Sequence, residues 1–190
     1  MPRTPTSALA LTAALSAALL GALLTGCSLG DGAVDTGASG TPASAEEPAR
    51  ISVPSLGVSS PLLRLVRDGD GGVRVPPAEK RTIAGWYTDS AEPGKRGAAV
   101  IVGHGDPRDG KAVFHDLDKL VEGSAIDVER GDGKVLHFSV TGKEKVDERA
   151  FPARKVYGRT SERALRLVTC GGDAAGHAVR HLVVYAALTP

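Results

Sequence analysis

Hydrophobic and polar positions alternate along this chain in short runs broken by turn residues, with the period of two that belongs to half-buried strands. The clearest case lies between residues 125 and 140. Ala125 to Glu129 and Val135 to Val140 flank Gly131-Asp132-Gly133, and in the second run Leu136, Phe138 and Val140 alternate with Val135, His137 and Ser139. That pattern predicts a hairpin with His137 on its outer face. Ile51 to Val53 and Leu62 to Val66 are strand runs on either side of a break at Pro54-Ser55-Leu56-Gly57. Asp68 to Gly72 reads as a turn, and Trp86-Tyr87 begins a further strand. Ala98 to Val102, after the turn Glu92-Pro93-Gly94, is apolar throughout, and Leu165 to Cys170 is a mainly apolar run interrupted by Arg166 and Thr169. Both predict buried strands. His181 to Ala187 completes a set of about eight strands, and a short helix is predicted from Val113 to Val121. The predicted class is all-β, closed or nearly closed, with short helices in the connections.

Before Arg50 the pattern changes. Arg3 is followed by an uncharged Ala/Leu stretch from Ala8 to Leu24 and then by Thr25-Gly26-Cys27. This resembles a bacterial lipoprotein signal, in which small residues ahead of the cysteine admit the signal peptidase and the thiol takes a diacylglyceryl group. Two other readings stay open, cleavage without a lipid and an uncleaved N-terminal anchor, since the stretch is near the lower limit for a bilayer span. All three place the remainder outside the cytoplasm. Residues 27–49, poor in large apolar side chains and rich in Gly, Ala, Ser, Thr and acids, form a predicted flexible tether reaching roughly 25 Å. Residues 50–190 are enough for one domain with its own core.

Charge and composition then narrow the function. Loss of residues 1–26 would remove Arg3 and no acid, leaving a formally neutral chain. No basic run interleaves with aromatics, which argues against nucleic acid as a partner. No metal-ligand cluster or cofactor motif stands out: His177 and His181 are four apart, but on a strand that spacing does not converge two rings on one ion. If Cys27 is lipidated, Cys170 has no disulfide partner, because the chain has only two cysteines.

Cys170 closes the run LRLVTC and is followed by Gly171-Gly172, while His104 follows AAVIVG and precedes Gly105. Each is a chemically capable residue delivered by an apolar strand to a glycine-flanked end. Cys170 reads either as a small core thiol or as a nucleophile. Export favours the second, because an unpaired thiol outside the cell is an oxidation liability. His104 reads as a turn histidine or as the acid–base partner that thiol chemistry requires. Arg180 reads as a solvated strand-edge cation or as the group that holds a developing oxyanion. His115 and His137 are weaker candidates.

These residues resemble the sortases, cysteine transpeptidases of Gram-positive cell surfaces. LRLVTCGG looks like the sortase nucleophile motif and VIVGH like its histidine strand. Ile51-Ser52-Val53-Pro54, Gly85-Trp86-Tyr87, Ala112-Val113-Phe114, Phe151-Pro152 with Val156-Tyr157-Gly158, and Val183-Val184-Tyr185-Ala186 follow in family order. The pattern is most similar to class F-like sortases of actinobacteria. The resemblance implies an eight-stranded sortase β-barrel. It implies that Cys170 attacks the Thr carbonyl of an LPxTG-like sorting signal, His104 protonates the departing Gly amine, and Arg180 steadies the carbonyl. It also implies that Thr169 positions the substrate through its hydroxyl. The implied partners are sorting-signal peptides of secreted proteins and the amine of a peptidoglycan precursor, at the outer face of the membrane. The segment GGDAAGHAVRHLVVYA is shorter than its counterparts, which keeps open the register of Arg180 and a non-catalytic barrel that only binds wall peptides. An L,D-transpeptidase would need an SxGCxR-type signature that the chain lacks.

Overall fold

The computed structural model describes residues 44–69, 73–105, 112–170 and 180–190, the last range without the Arg180 side chain. Cys27, the apolar stretch before it and most of the predicted tether lie outside the described residues. Eight strands are present: β1 (Pro48–Val53), β2 (Val58–Leu65), β3 (Ala84–Tyr87), β4 (Gly97–His104), β5 (Ala125–Arg130), β6 (Val135–Asp147), β7 (Arg163–Cys170) and β8 (Arg180–Leu188). They close into a barrel in the order β1-β2-β3-β4-β7-β8-β6-β5, so the expected all-β, eight-stranded closed fold is observed. Among the described residues one short α-helix, α1 (Ala153–Tyr157), lies in the connection from β6 to β7. Among the described residues no helix is long and apolar enough to cross a membrane.

The hairpin pattern is realised as written in the sequence. Leu136, Phe138 and Val140 are buried while Val135 and His137 are exposed, and His137 Nδ1 lies 2.7 Å from Asp127 Oδ1 on the outer surface. Gly133, at φ 80°, takes the left-handed position in the turn. Asp132 braces that turn by accepting from the Lys134 N–H at 3.1 Å and from Arg130 at 2.6 Å.

Two elements differ from the pattern. β6 does not stop at Val140 but runs on to Asp147, pairing with β8 after a bulge between Val140 and Gly142. The bulge exchanges the faces of the strand, and the half-buried set becomes Gly142, Glu144 and Val146. With one aliphatic side chain in that set, the apolar alternation disappears although the ladder continues. The predicted helix from Val113 to Val121 is instead a series of turns with a single 3-10 turn at Leu117–Lys119. Its helical spacing is real, since Val113, Phe114, Leu117 and Leu120 are all buried. The backbone, however, is committed to neighbouring segments: Val113 N–H donates to Arg81 O and Phe114 N–H to His104 O, each at 2.9 Å.

Alternation along the strands creates two separate apolar clusters. Ala99, Ile101, Leu165, Leu167, Leu182, Val184 and Phe138 point into the barrel, where Phe114 and Leu117 join them. Val100, Val102, Val168, Cys170, Val183 and Tyr87 point outward and are covered by Val156 of α1, with Phe151, Val73 and Ile83 packed at the margin. The candidate chemistry sits in this outer cluster.

Candidate active site

β4 and β7 are parallel neighbours in full register, with Val102 opposite Val168, Gly103 opposite Thr169 and His104 opposite Cys170. Residues opposite one another on parallel strands share a face and lie about 4.8 Å apart. Thus the two residues that the sequence placed at separate strand ends stand side by side at one end. The backbone contact extends one step further, with the Gly105 N–H donating to Cys170 O at 3.1 Å.

The glycines around His104 have a packing cause. A Cβ at Gly103 would meet Phe114 Cδ2 at 2.6 Å and Val113 Cγ1 at 2.7 Å, and one at Gly105 would meet Thr169 Cβ at 2.9 Å. The strand end can lie against the Phe114 segment and β7 only without those atoms. His104 is 9% exposed, and its Nε2 lies 2.8 Å from the buried Pro76 carbonyl in the β2–β3 connection. A carbonyl only accepts, so Nε2 carries the proton and, in the neutral ring, Nδ1 keeps the lone pair.

Cys170 is 7% exposed and opens into a cavity of about 490 Å³. Val102, Val168, Tyr87 and His181 form its strand side, Arg67, Val73 and Val75 one wall, and Glu148, Phe151, Ala153 and Tyr157 the other. Burial pushes the Cys170 thiol up to about 12; its own backbone N–H and the charge of Arg81 act in the opposite direction. The resting group is therefore a neutral thiol. Tyr157 is likewise pushed up to about 12 by burial, then by Tyr87 and Cys170, so its phenol remains protonated beside the cavity. Tyr157 stacks edge-on against Tyr87 with ring centres 5.8 Å apart. Most of the lining is apolar or aromatic, with Arg67, Glu148 and His181 among it, and one sulfur faces this space.

The other predicted residues distribute as follows. Thr169 is buried and faces away from the cavity, its hydroxyl accepting the Leu182 N–H at 2.8 Å. That bond holds the β8 strand end through the same hydroxyl that the resemblance implies for positioning the substrate. Arg180 opens β8 with its Cα opposite Asp147, and its side chain lies outside the described residues, as do Cys27 and His177. His115 is in a turn, with Nε2 3.7 Å from Asp116 Oδ1. Sequence reasoning missed His181 and Tyr157 as cavity residues. His181 shares the face of Val183 by strand alternation, but only the β7–β8 register reveals that this face meets the thiol. Arg81 was also missed, because nothing in the sequence brings the β2–β3 connection near Cys170.

Comparison with known proteins agrees with this architecture. A family model described as the sortase domain matches residues 51–189. Sortase A from Corynebacterium diphtheriae is similar in structure at TM-score 0.59 and 20% identity, covering 77% of this chain and 62% of that one. Sortase C-1 from Actinomyces oris matches at TM-score 0.58 and 21% identity over 75% of this chain and 73% of that one. A Clostridium perfringens sortase D5 transpeptidase matches at TM-score 0.56 and 18% identity, over 76% and 79%. The chain therefore spans less than two thirds of the Corynebacterium chain. No curated protein sequence matches it.

Proposed function

The chain belongs to the sortase family, and from that premise we propose that it is a cell-surface cysteine transpeptidase. It cleaves an LPxTG-like sorting signal between Thr and Gly through a thioester on Cys170 and passes the acyl group to an amine of a peptidoglycan precursor. The observation that carries this reading is the pairing of His104 with Cys170 at a common strand end.

In this mechanism burial keeps the thiol neutral until a peptide fills the cavity. His104, its Nε2–H held by Pro76, takes the sulfhydryl proton on Nδ1 as sulfur attacks the Thr carbonyl. The C–S bond forms, the Thr–Gly C–N bond breaks, and the proton passes to the departing Gly nitrogen. An incoming amine then attacks the thioester carbon and gives up a proton to His104. The C–S bond breaks and the sulfur regains its proton. Arg180 holds the oxyanion in both steps. Thr169 contributes through the shape of the strand end.

The same reading assigns the chain to the class F-like sortases, with a lipid on Cys27 and a tether over residues 27–49 holding the domain at the outer face of the membrane. Cys27→Ser should release the protein from the membrane fraction with the signal still cleaved. The test of function uses the full chain carrying Cys27→Ser, so that Cys170 is the sole thiol. It is incubated with LPxTG, LAxTG and scrambled peptides plus an amine and read by mass spectrometry. Cleavage between Thr and Gly with an acyl adduct on Cys170, absent in Cys170→Ala, is expected. No adduct from a folded protein with any peptide would overturn the reading in favour of a non-catalytic barrel that binds wall peptides.

A further inference from the structure

β7 and β8 pair regularly from Ala164 opposite Ala187 to Val168 opposite Val183. Continued one step, that register sets Thr169 opposite Leu182, and after one more it sets Cys170 opposite His181. At this point the ladder is replaced by side chains. The Leu182 N–H goes to the Thr169 hydroxyl at 2.8 Å, and the Thr169 carbonyl is taken by His181 Nδ1 at 2.8 Å. Because the carbonyl only accepts, Nδ1 is the protonated nitrogen of this ring. Phe151 meets the imidazole edge-on, with ring centres 5.5 Å apart and planes at 85°, which fixes the ring's orientation.

The carbonyl that His181 holds belongs to the peptide unit whose other end is the Cys170 N–H. A hydrogen bond to the oxygen of an amide polarises its N–H, so the two act in series. We propose that His181 is a positioning residue for the nucleophile: by donating from Nδ1 to the Thr169 carbonyl it fixes the Thr169–Cys170 peptide plane, aims the thiol into the cavity and strengthens the Cys170 N–H as a donor to the developing thiolate. Cys170 is thereby bracketed by two imidazoles with different tasks. His104 exchanges protons, whereas His181 keeps its proton and acts through the backbone. This assignment rests on the transpeptidase reading for its benefit to turnover, but its effect on the thiol can be measured without any peptide.

The experiment uses the full chain with Cys27→Ser and compares His181→Ala, His181→Asn and His181→Gln. Asn places an N–H donor where Nδ1 stands, while Gln carries its donor one bond further out, and Ala has none. Alkylation of Cys170 by iodoacetamide at fixed pH is followed together with kcat and KM for the cleaved peptide. Ala and Gln should slow alkylation and kcat by about three- to tenfold, on the scale of one charge-stabilising hydrogen bond, with KM within about twofold of the parent. Asn should restore both rates. Equal rates for Asn and Gln, or unchanged alkylation in Ala, would overturn the assignment. If Ala fails to fold, the contrast between Asn and Gln decides alone. A parent that alkylates with the expected dependence on residue 181 but cleaves no peptide would overturn the transpeptidase reading and leave this assignment standing.

Discussion

The two strands that flank β7 approach its Cys170 end in opposite ways. β4 stays in backbone register through His104 and beyond, as the Gly105 N–H to Cys170 contact shows. On the β8 side the regular pairing ends at Val168 and Val183, after which a hydroxyl and an imidazole take over. One flank is positioned by the main chain and tolerates changes of side chain that keep the volume. The other is open backbone held by two specific side chains, and there the thiol finds room for a ligand. Rigid placement of His104 and local separation of the strands are thus obtained on two sides of one strand.

This contrast can be tested from its strongest consequence downward. His104→Ala should leave the barrel folded but lower peptide turnover by about 10²- to 10⁴-fold, the range of general acid–base catalysis, as measured by kcat over KM. Turnover within threefold of the parent would remove His104 from the chemistry. The thiol itself gives the next test. Burial raises its pKa to about 12, so the thiolate fraction at neutral pH is small. Alkylation should climb about tenfold per pH unit from about pH 7 to 10, without a plateau in the usual thiol range. A plateau near about pH 8 or 9 would show that the thiol titrates in the ordinary range and that burial does not raise it.

Stability separates the two flanks more finely. Gly103→Ala forces a methyl against Phe114 and Val113 at under 3 Å and should cost about 1–3 kcal/mol by overpacking, read as a lower midpoint in urea. Thr169→Val removes the acceptor of a buried N–H on the β8 side and should cost about 1–2 kcal/mol. Thr169→Ser, which keeps the hydroxyl and gives up the methyl, should lose much less, and a loss in Ser with none in Val would show that the methyl, not the hydroxyl, holds the strand. His137→Ala, at an exposed pair with Asp127, should change stability by less than about 0.5 kcal/mol.

Most of the barrel was legible because burial on one face writes itself as alternation, as at Leu136, Phe138 and Val140. The continuation of β6 was not, because its half-buried side is Gly142, Glu144 and Val146 and the ladder is held by β8. Val113 to Val121 misled for the converse reason: helical spacing was present, but Arg81 and His104 had claimed the backbone. At the site, Cys170 and His104 were visible as polar ends of apolar runs. Their adjacency was not, since a parallel pair joined across two intervening strands leaves no local trace. His181 illustrates the limit most sharply. As a ring on a strand it was weighed only as a metal ligand beside His177, and its bond to Thr169 depends on a register that no neighbouring residue announces.

The division of apolar side chains into an interior cluster and an outer cluster bears on how such a protein can diversify. The barrel carries its own core, whereas the cavity walls come from the β2–β3 connection and from the segment around α1. Substitutions at Val73, Val75, Phe151 or Tyr157 change the shape offered to a peptide with little involvement of the interior side chains, so their effects on stability and selectivity should combine almost additively with changes inside the barrel. On the transpeptidase reading, selection can therefore retune which peptides are admitted while the scaffold drifts independently, and a library confined to those two walls is the economical place to look for altered peptide preference.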